Sequence, residues 1–545
     1  MRASVVSSLS LAFACACQAQ PKPVELAPDL DPDAQLQLTE QKDVDILFVI
    51  DNSGSMGAEQ ANLAANFGAF IEVLEQQDVE ANYRIGVTTS DNGNPWCGTT
   101  TPEAGALVLS SCRERIADFV FADQADARDL ACNDICALDD AALTILPTAT
   151  ELDPELAPRP WLERIEGHQN LPLSTSMVDA FRCFGPQGIN GCGFESPLES
   201  MLLALARADT PDEPEHGFMR AGALLAVVFV TDEVDCSYNQ DYAGIFTGEQ
   251  GTVFWSDPEA SAPGSDLCWR AGVECFGDPS GYDSCEPVDR GVDAQPVDEP
   301  ESDAVLHPLS RYFARLDAIE QHKQQINPDA EIIVGLIGGV QPDGSLVYAD
   351  GSDPEFQAEF GIGPGCTGPL GEAAVPPVRL RELTERYTQD NLHSICATDF
   401  TGALTTIADA IRTEIIPACH GRCVADVEPA TELVEPHCEL EQELPGVGVR
   451  PVLECLRDQQ GAYVVDPASG SYTPPNEAEL CFAMLTDDAG LTPDALDDIA
   501  PYCLDRGHNL QFQLAYAAGV VPPTAAITKA TCALSQEPEL DCPQL

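Results

Sequence analysis

Apolar and polar residues alternate along this chain in two recognisable rhythms. Residues 44–50 (VDILFVI) form a run that is apolar apart from Asp45 and rich in β-branched side chains, which predicts a strand buried on both faces. Residues 57–76 then place Leu63, Phe67, Phe70, Ile71 and Leu74 at helical spacing, predicting an amphipathic helix. Further strands are predicted at 82–90, 223–232, 330–337 and 392–396, with 106–110 as an antiparallel edge strand. Helices are predicted at 173–184, 197–208, 302–326, 379–387 and 400–415. Strand and helix in alternation predict an α/β fold: a doubly wound, mostly parallel sheet flanked by helices.

The rhythm breaks in three places. Residues 91–170, 236–300 and 338–375 are rich in Cys, Asp, Gly and Pro and read as large disulfide-rich insertions. After residue 416 the pattern changes again. Alternation of Leu510, Phe512, Leu514 and Tyr516 signals a strand, and 417–545 reads as a small, Cys-rich, β-rich domain.

The loop that ends the first strand carries the candidate chemistry. Asp51, Ser53 and Ser55 form Asp-x-Ser-x-Ser on the entry to a helix. Ligands of open α/β sheets bind at the carboxyl ends of the strands. An all-oxygen set suits Mg²⁺, or Ca²⁺ or Mn²⁺, rather than zinc or copper. A second reading of the same residues is helix capping, because Asp and Ser are preferred N-caps.

VDILFVIDNSGSM (44–56) resembles the metal-ion-dependent adhesion site of von Willebrand factor type A (VWA) domains. The resemblance spans about 43–416. It implies a metal site that Asp232, at the end of the strand 223–232, completes from the opposite side. In the family, the loop before the helix at 197–208 adds a Thr. Here Glu195 falls nearest that position, with Ser196 beside it. Glu195 adds a charge and can ligate directly, a departure that bears on the family's ligand-binding switch rather than on its fold. The implied function is recognition of a protein partner, whose acidic side chain fills an open position on the cation.

Composition narrows the alternatives. The formal charge of −64 argues against nucleic acid or an anionic membrane surface as partner. Residues 1–17 read as an export signal. Ala14-Cys15-Ala16-Cys17 also resembles a bacterial lipoprotein signal, with Cys17 or Cys15 lipidated, so both lipid anchoring and simple secretion stay open. Residues 18–42 read as a flexible tether. No later apolar run reaches membrane-spanning length, so membrane attachment is expected only through a lipid anchor. Twenty cysteines follow the signal, an even number that predicts disulfides in an oxidising cell envelope or secreted setting. Cys419-His420-Gly421-Arg422-Cys423 falls under that reading rather than zinc binding. The sequence has no G-x-S-x-G, no H-E-x-x-H and no P-loop, and its eight His are scattered, so no enzyme is expected. The sequence thus predicts an exported or lipid-anchored adhesion-type module. The alternatives are a structural cell-envelope protein with a vestigial metal site and, more remotely, a secreted hydrolase.

Overall fold

A computed structural model describes residues 30, 35–38, 40–76, 79–121, 125–369, 371–428, 431, 433–444, 446–467, 469–476, 478–488, 490–492, 495–523 and 526–542. The expected export signal, with Cys15 and Cys17, lies outside the described residues. In chain order the first elements are β1 (Leu36–Gln37), β2 (Asp43–Ile50), α1 (Gly57–Leu74) and β3 (Asn82–Thr89). Next come β4 (Leu162–Ile165), β5 (His168–Gln169), α2 (Met177–Phe184), α3 (Pro197–Asp209) and β6 (Leu224–Val230). The hairpin β7 (Val273–Asp278) and β8 (Gly281–Pro287) precedes α4 (Leu309–Gln324), β9 (Ile332–Gly338), α5 (Val378–Tyr387), β10 (Leu392–Ser394) and α6 (Thr401–Thr413). The last strands are β11 (Ala418–Cys419), β12 (Cys438–Leu444), β13 (Gly448–Glu454), β14 (Leu480–Leu485), β15 (Gln511–Tyr516) and β16 (Ile527–Cys532).

The first sheet has the order β10-β9-β6-β2-β3-β4-β5. Its pairs from β10 to β3 are parallel, and β4 and β5 add an antiparallel edge, so the sheet is mixed. Strand β2 is central, and its side chains divide between two cores. Val44, Ile46, Phe48 and Ile50 pack with α1, α2 and α6, against Phe67, Phe181 and Ile407 among others. Leu47 and Val49 face the other way, against α3, α4 and α5. Burial on both faces is why the strand is apolar without alternation.

Residues 106–110 do not form the expected edge strand. They run beside β3 through a single bond, Val108 N–H to Val87 O at 2.7 Å, and the ladder position belongs to β4. The segment read as an insertion at 91–170 therefore contributes two strands to the main sheet. Helix α4 begins at Leu309 rather than near 302 because Pro308 disfavours helical backbone at His307.

The second sheet has the order β1-β16-β12-β13-β14-β15-β11, so all but one of its strands come from the region after residue 416. The exception is β1, which lies within the stretch read as a flexible tether. Leu36 and Gln37 pair with Ala530 and Lys529, and Leu38 is buried in that sheet's core. The period-two pattern Leu36-Gln37-Leu38 is a strand signal that the surrounding Asp and Pro residues obscure.

Ten disulfides link Cys97–Cys192, Cys112–Cys132, Cys136–Cys183, Cys236–Cys268, Cys275–Cys285, Cys366–Cys396, Cys419–Cys503, Cys423–Cys542, Cys438–Cys532 and Cys455–Cys481. None of them joins the first sheet's region to the second's. Such a set belongs to an oxidising, extracytoplasmic compartment. No helix among the described residues is long and apolar enough to cross a membrane.

Candidate functional site

Three adjacent strand ends bring the candidate residues together. The ladder continues one step past the strands: Asp51 N–H donates to Val230 O at 2.9 Å, and Ser90 N–H donates to Ile50 O at 3.2 Å. Asp51 after β2, Ser90 after β3 and Thr231-Asp232 after β6 therefore sit side by side.

Asp51 is fully buried. Its Oδ1 accepts Ser53 N–H at 2.8 Å, and its Oδ2 accepts the Thr231 hydroxyl at 2.6 Å. The Ser53 and Ser55 hydroxyls lie 3.1 Å apart. None of these three residues caps α1. The cap position is Met56, and no side chain accepts a bond there. The structure thus sets aside the capping reading. Gln60, in the first turns of α1, steadies the loop: its amide donates to Asp51 O at 2.8 Å and to Gly188 O at 2.7 Å.

Glu195 enters from the loop before α3 and is 1 % exposed. It accepts the Ser90 hydroxyl and lies beside the Asp51 carboxyl. Asp232 is hydrogen-bonded to Ser55. Two carboxylate oxygens remain buried without a partner, Glu195 Oε1 and Asp232 Oδ1, and a third, Glu59 Oε2, lies close by on α1. Sequence reasoning missed Glu59 and Glu233. The signal for Glu59 was a charged residue on the first turn of a helix whose other face is core, and for Glu233 its place directly after Asp232.

The electrostatics are one-sided. Among the described residues, no Lys or Arg pairs with Asp51, Glu59, Glu195, Asp232 or Glu233. Burial pushes the carboxyls of Asp51, Glu195, Asp232 and Glu233 above the usual carboxylate range. The charge of Asp51 raises Glu195 and Asp232 further, and that of Asp232 raises Glu233. Glu59 is pushed up to about 7, first by burial and then by neighbouring acids. Buried polar atoms are nearly always partnered, and buried charges are paired or bind a metal. Orphaned carboxylate oxygens, two hydroxyls beside them and no basic side chain make an all-oxygen donor set that fits a hard divalent cation.

A tighter carboxylate triple lies elsewhere. Asp487, Asp497 and Asp498 bring ligand atoms within 4.8 Å of one another, a closeness that Asp51, Asp232 and Glu195 do not reach as a triple. Two of these side chains are already engaged: Asp487 accepts the N–H groups of Leu491 and Thr492 at 2.9 and 2.7 Å, and Asp497 accepts the Thr492 hydroxyl at 2.8 Å.

No family model and no curated protein matches the chain. Among solved structures, it is similar to the pilus adhesin SpaC from Lactobacillus rhamnosus GG in its open conformation, with a TM-score of 0.29 and 8 % identity over 91 % of this chain and 39 % of that one. It is also similar to the pilus adhesin RrgA from Streptococcus pneumoniae, with a TM-score of 0.25 and 9 % identity over 92 % of this chain and 58 % of that one. The chain therefore spans less than two thirds of either adhesin, and so distant a likeness assigns it neither a fold family nor a function.

Proposed function

We propose that this chain is an exported or lipid-anchored binding module of adhesion type, built on a doubly wound VWA-like unit and recognising a protein partner in a cation-dependent way. The observation that carries the reading is the pair of buried, unpartnered oxygens on Glu195 and Asp232, set beside Asp51 with no basic side chain to neutralise them. Ser53, Ser55, Asp51, Asp232 and Glu195 would hold Mg²⁺, or Ca²⁺ or Mn²⁺. When bound, the ion supplies positive charge and an open position for an acidic side chain of the partner.

The chain's own residues do the rest. The Thr231 hydroxyl and the Ser53 amide orient Asp51. Ser90 holds Glu195. The Gln60 bridge keeps the Asp51 loop against the 187–188 loop. Loops on a rigid scaffold commonly set partner choice, and the acidic loops around this site are placed to do so.

A second reading, a structural envelope protein with a vestigial site, has one observation in its favour. Glu195 fills, fully buried, a place that the VWA pattern gives to the smaller Thr. Calorimetric titration of the oxidised protein with Mg²⁺, Mn²⁺ and Ca²⁺, followed by partner capture from an envelope extract with and without EDTA, separates the two. The adhesion reading expects cation uptake that Asp51→Ala removes, and capture that EDTA and Asp51→Ala both abolish. Capture indifferent to EDTA and to Asp51→Ala would leave the structural reading standing.

A further inference from the structure

Glu195 is held in a dry, acidic place. Its carboxyl is 1 % exposed and lies beside Asp51, with no Lys or Arg partner among the described residues. A carboxylate on a loop ordinarily escapes such a place by turning to water. This one cannot, because its segment is tied on every side. The Glu195 carbonyl accepts Cys236 N–H at 2.6 Å, and Ser196 donates its N–H to Ser90 O at 2.9 Å and its hydroxyl to Cys236 O at 2.9 Å. Upstream, Gly191 N–H donates to Asn52 O at 2.8 Å and Cys192 N–H donates to Asp91 Oδ2 at 3.2 Å.

Two covalent ties and one apolar anchor reinforce these bonds. Cys192 is joined to Cys97, and Cys236 to Cys268. Phe194, next to Glu195, sits edge-on to Phe246 with ring centroids 5.0 Å apart. Phe246 belongs to a separate apolar core that also contains Trp255, Trp269, Cys236 and Cys268. The segment 236–300 thus shares a core with Val305, Leu306 and residues between 348 and 378, and that core grips the residue beside Glu195.

We infer, resting on the cation-site reading above, that Cys97–Cys192 and the Phe194 anchor in this core form a clamp that positions Glu195 as a cation ligand. The clamp's task is to keep the buried Glu195 carboxyl in place before the ion arrives. Without it, ion binding must also order the loop, at an entropic cost. Groups that orient metal ligands typically contribute about 10- to 100-fold to affinity.

The test is a double-mutant cycle on the full chain, read as Mg²⁺ affinity by calorimetry. The clamp variants are Cys97→Ala/Cys192→Ala and, separately, Phe194→Ala with Phe194→Leu as its conservative control. Each is made in the wild type and in Glu195→Gln, with circular dichroism to establish folding. The expected result is a loss of roughly 10- to 100-fold in the wild-type background, little loss for Phe194→Leu, and no further loss in Glu195→Gln. If the disulfide variant does not fold, Phe194→Ala carries the cycle. Equal losses in both backgrounds would show general loosening and overturn the clamp, as would an unchanged affinity in the wild-type background. A wild type that takes up none of Mg²⁺, Mn²⁺ or Ca²⁺ overturns the cation-site reading itself, and is recognised before any variant is made.

Discussion

Glu59 shows what the site's acidity costs the fold. It is 9 % exposed, one of its oxygens has no partner, and its carboxyl stands at about 7 instead of 4.5. A carboxyl raised in the folded state holds its proton longer there than in the unfolded chain. Its contribution to stability is therefore present below pH 4.5 and lost as pH rises through about 7. Glu40, raised by burial to about 7 as well, acts in the same direction. In EDTA, thermal unfolding midpoints are expected to fall between pH 4.5 and 7, and Glu59→Gln is expected to flatten that slope. The Glu59 share is about 3 kcal/mol. An unchanged slope in Glu59→Gln would place the strain elsewhere. At this scale the placing of Asp51, Ser53, Ser55 and Asp232 at strand ends was legible from the motif and the apolar runs, whereas Glu195 was suggested only by the resemblance. The orphaned oxygens were not legible, since lack of a partner is a property of packing.

Strand β2 with α1 is the element pair on which the site rests. Phe48 on β2 lies among Phe67, Phe70 and Phe181, at centroid distances of 6.0, 5.6 and 5.6 Å. Phe67 and Phe181 stack at 3.5 Å. Phe48→Ala opens a cavity in this cluster and is expected to cost about 3–5 kcal/mol in denaturant unfolding at fixed cation concentration. A cost below about 1 kcal/mol would mean the cluster collapses to fill the space. Element type was readable wherever the apolar run was long, as in β2, β6 and α1. It failed at 106–110, where a short, mostly apolar run lost the ladder to Leu162–Ile165. Pairing between strands far apart in sequence is decided by which segment the disulfides and loops deliver to the edge.

The whole molecule is governed by charge and crosslinks. A chain with a formal charge of −64 repels itself when compact. Raising NaCl from about 0.01 to 0.5 M shortens the screening length several-fold and is expected to raise the unfolding midpoint by several degrees, in EDTA and at neutral pH. A midpoint that does not respond would show that the acidic groups are already neutralised. The two sheets meet at a buried charge cluster that belongs to this scale too. Lys42 lies 2.9 Å from Glu166 and 3.7 Å from Glu40, Gln513 donates to Glu80 at 2.9 Å, and the Ser471 hydroxyl bonds the Glu166 carbonyl. One of only four lysines in the chain thus stands among three acids at the junction. Of these partners only Glu40 is near Lys42 in the chain; Glu166, Ser471 and Gln513 come from positions more than a hundred residues away, so the local sequence does not announce the cluster.

What the sequence determined by itself is local: apolar runs that must be buried, helical faces that must pack, an even set of exported cysteines, and an Asp-x-Ser-x-Ser loop at a strand end. These follow from side-chain chemistry within a few residues. Only the tertiary structure decided which cysteines pair, that the tether's Leu36 and Leu38 belong to the second sheet, and that Glu195 and Asp232 are left with bare oxygens beside Asp51. Each of these depends on groups far apart in the chain being forced into one dry space, where an unpaired charge is costly and a cation has something to neutralise.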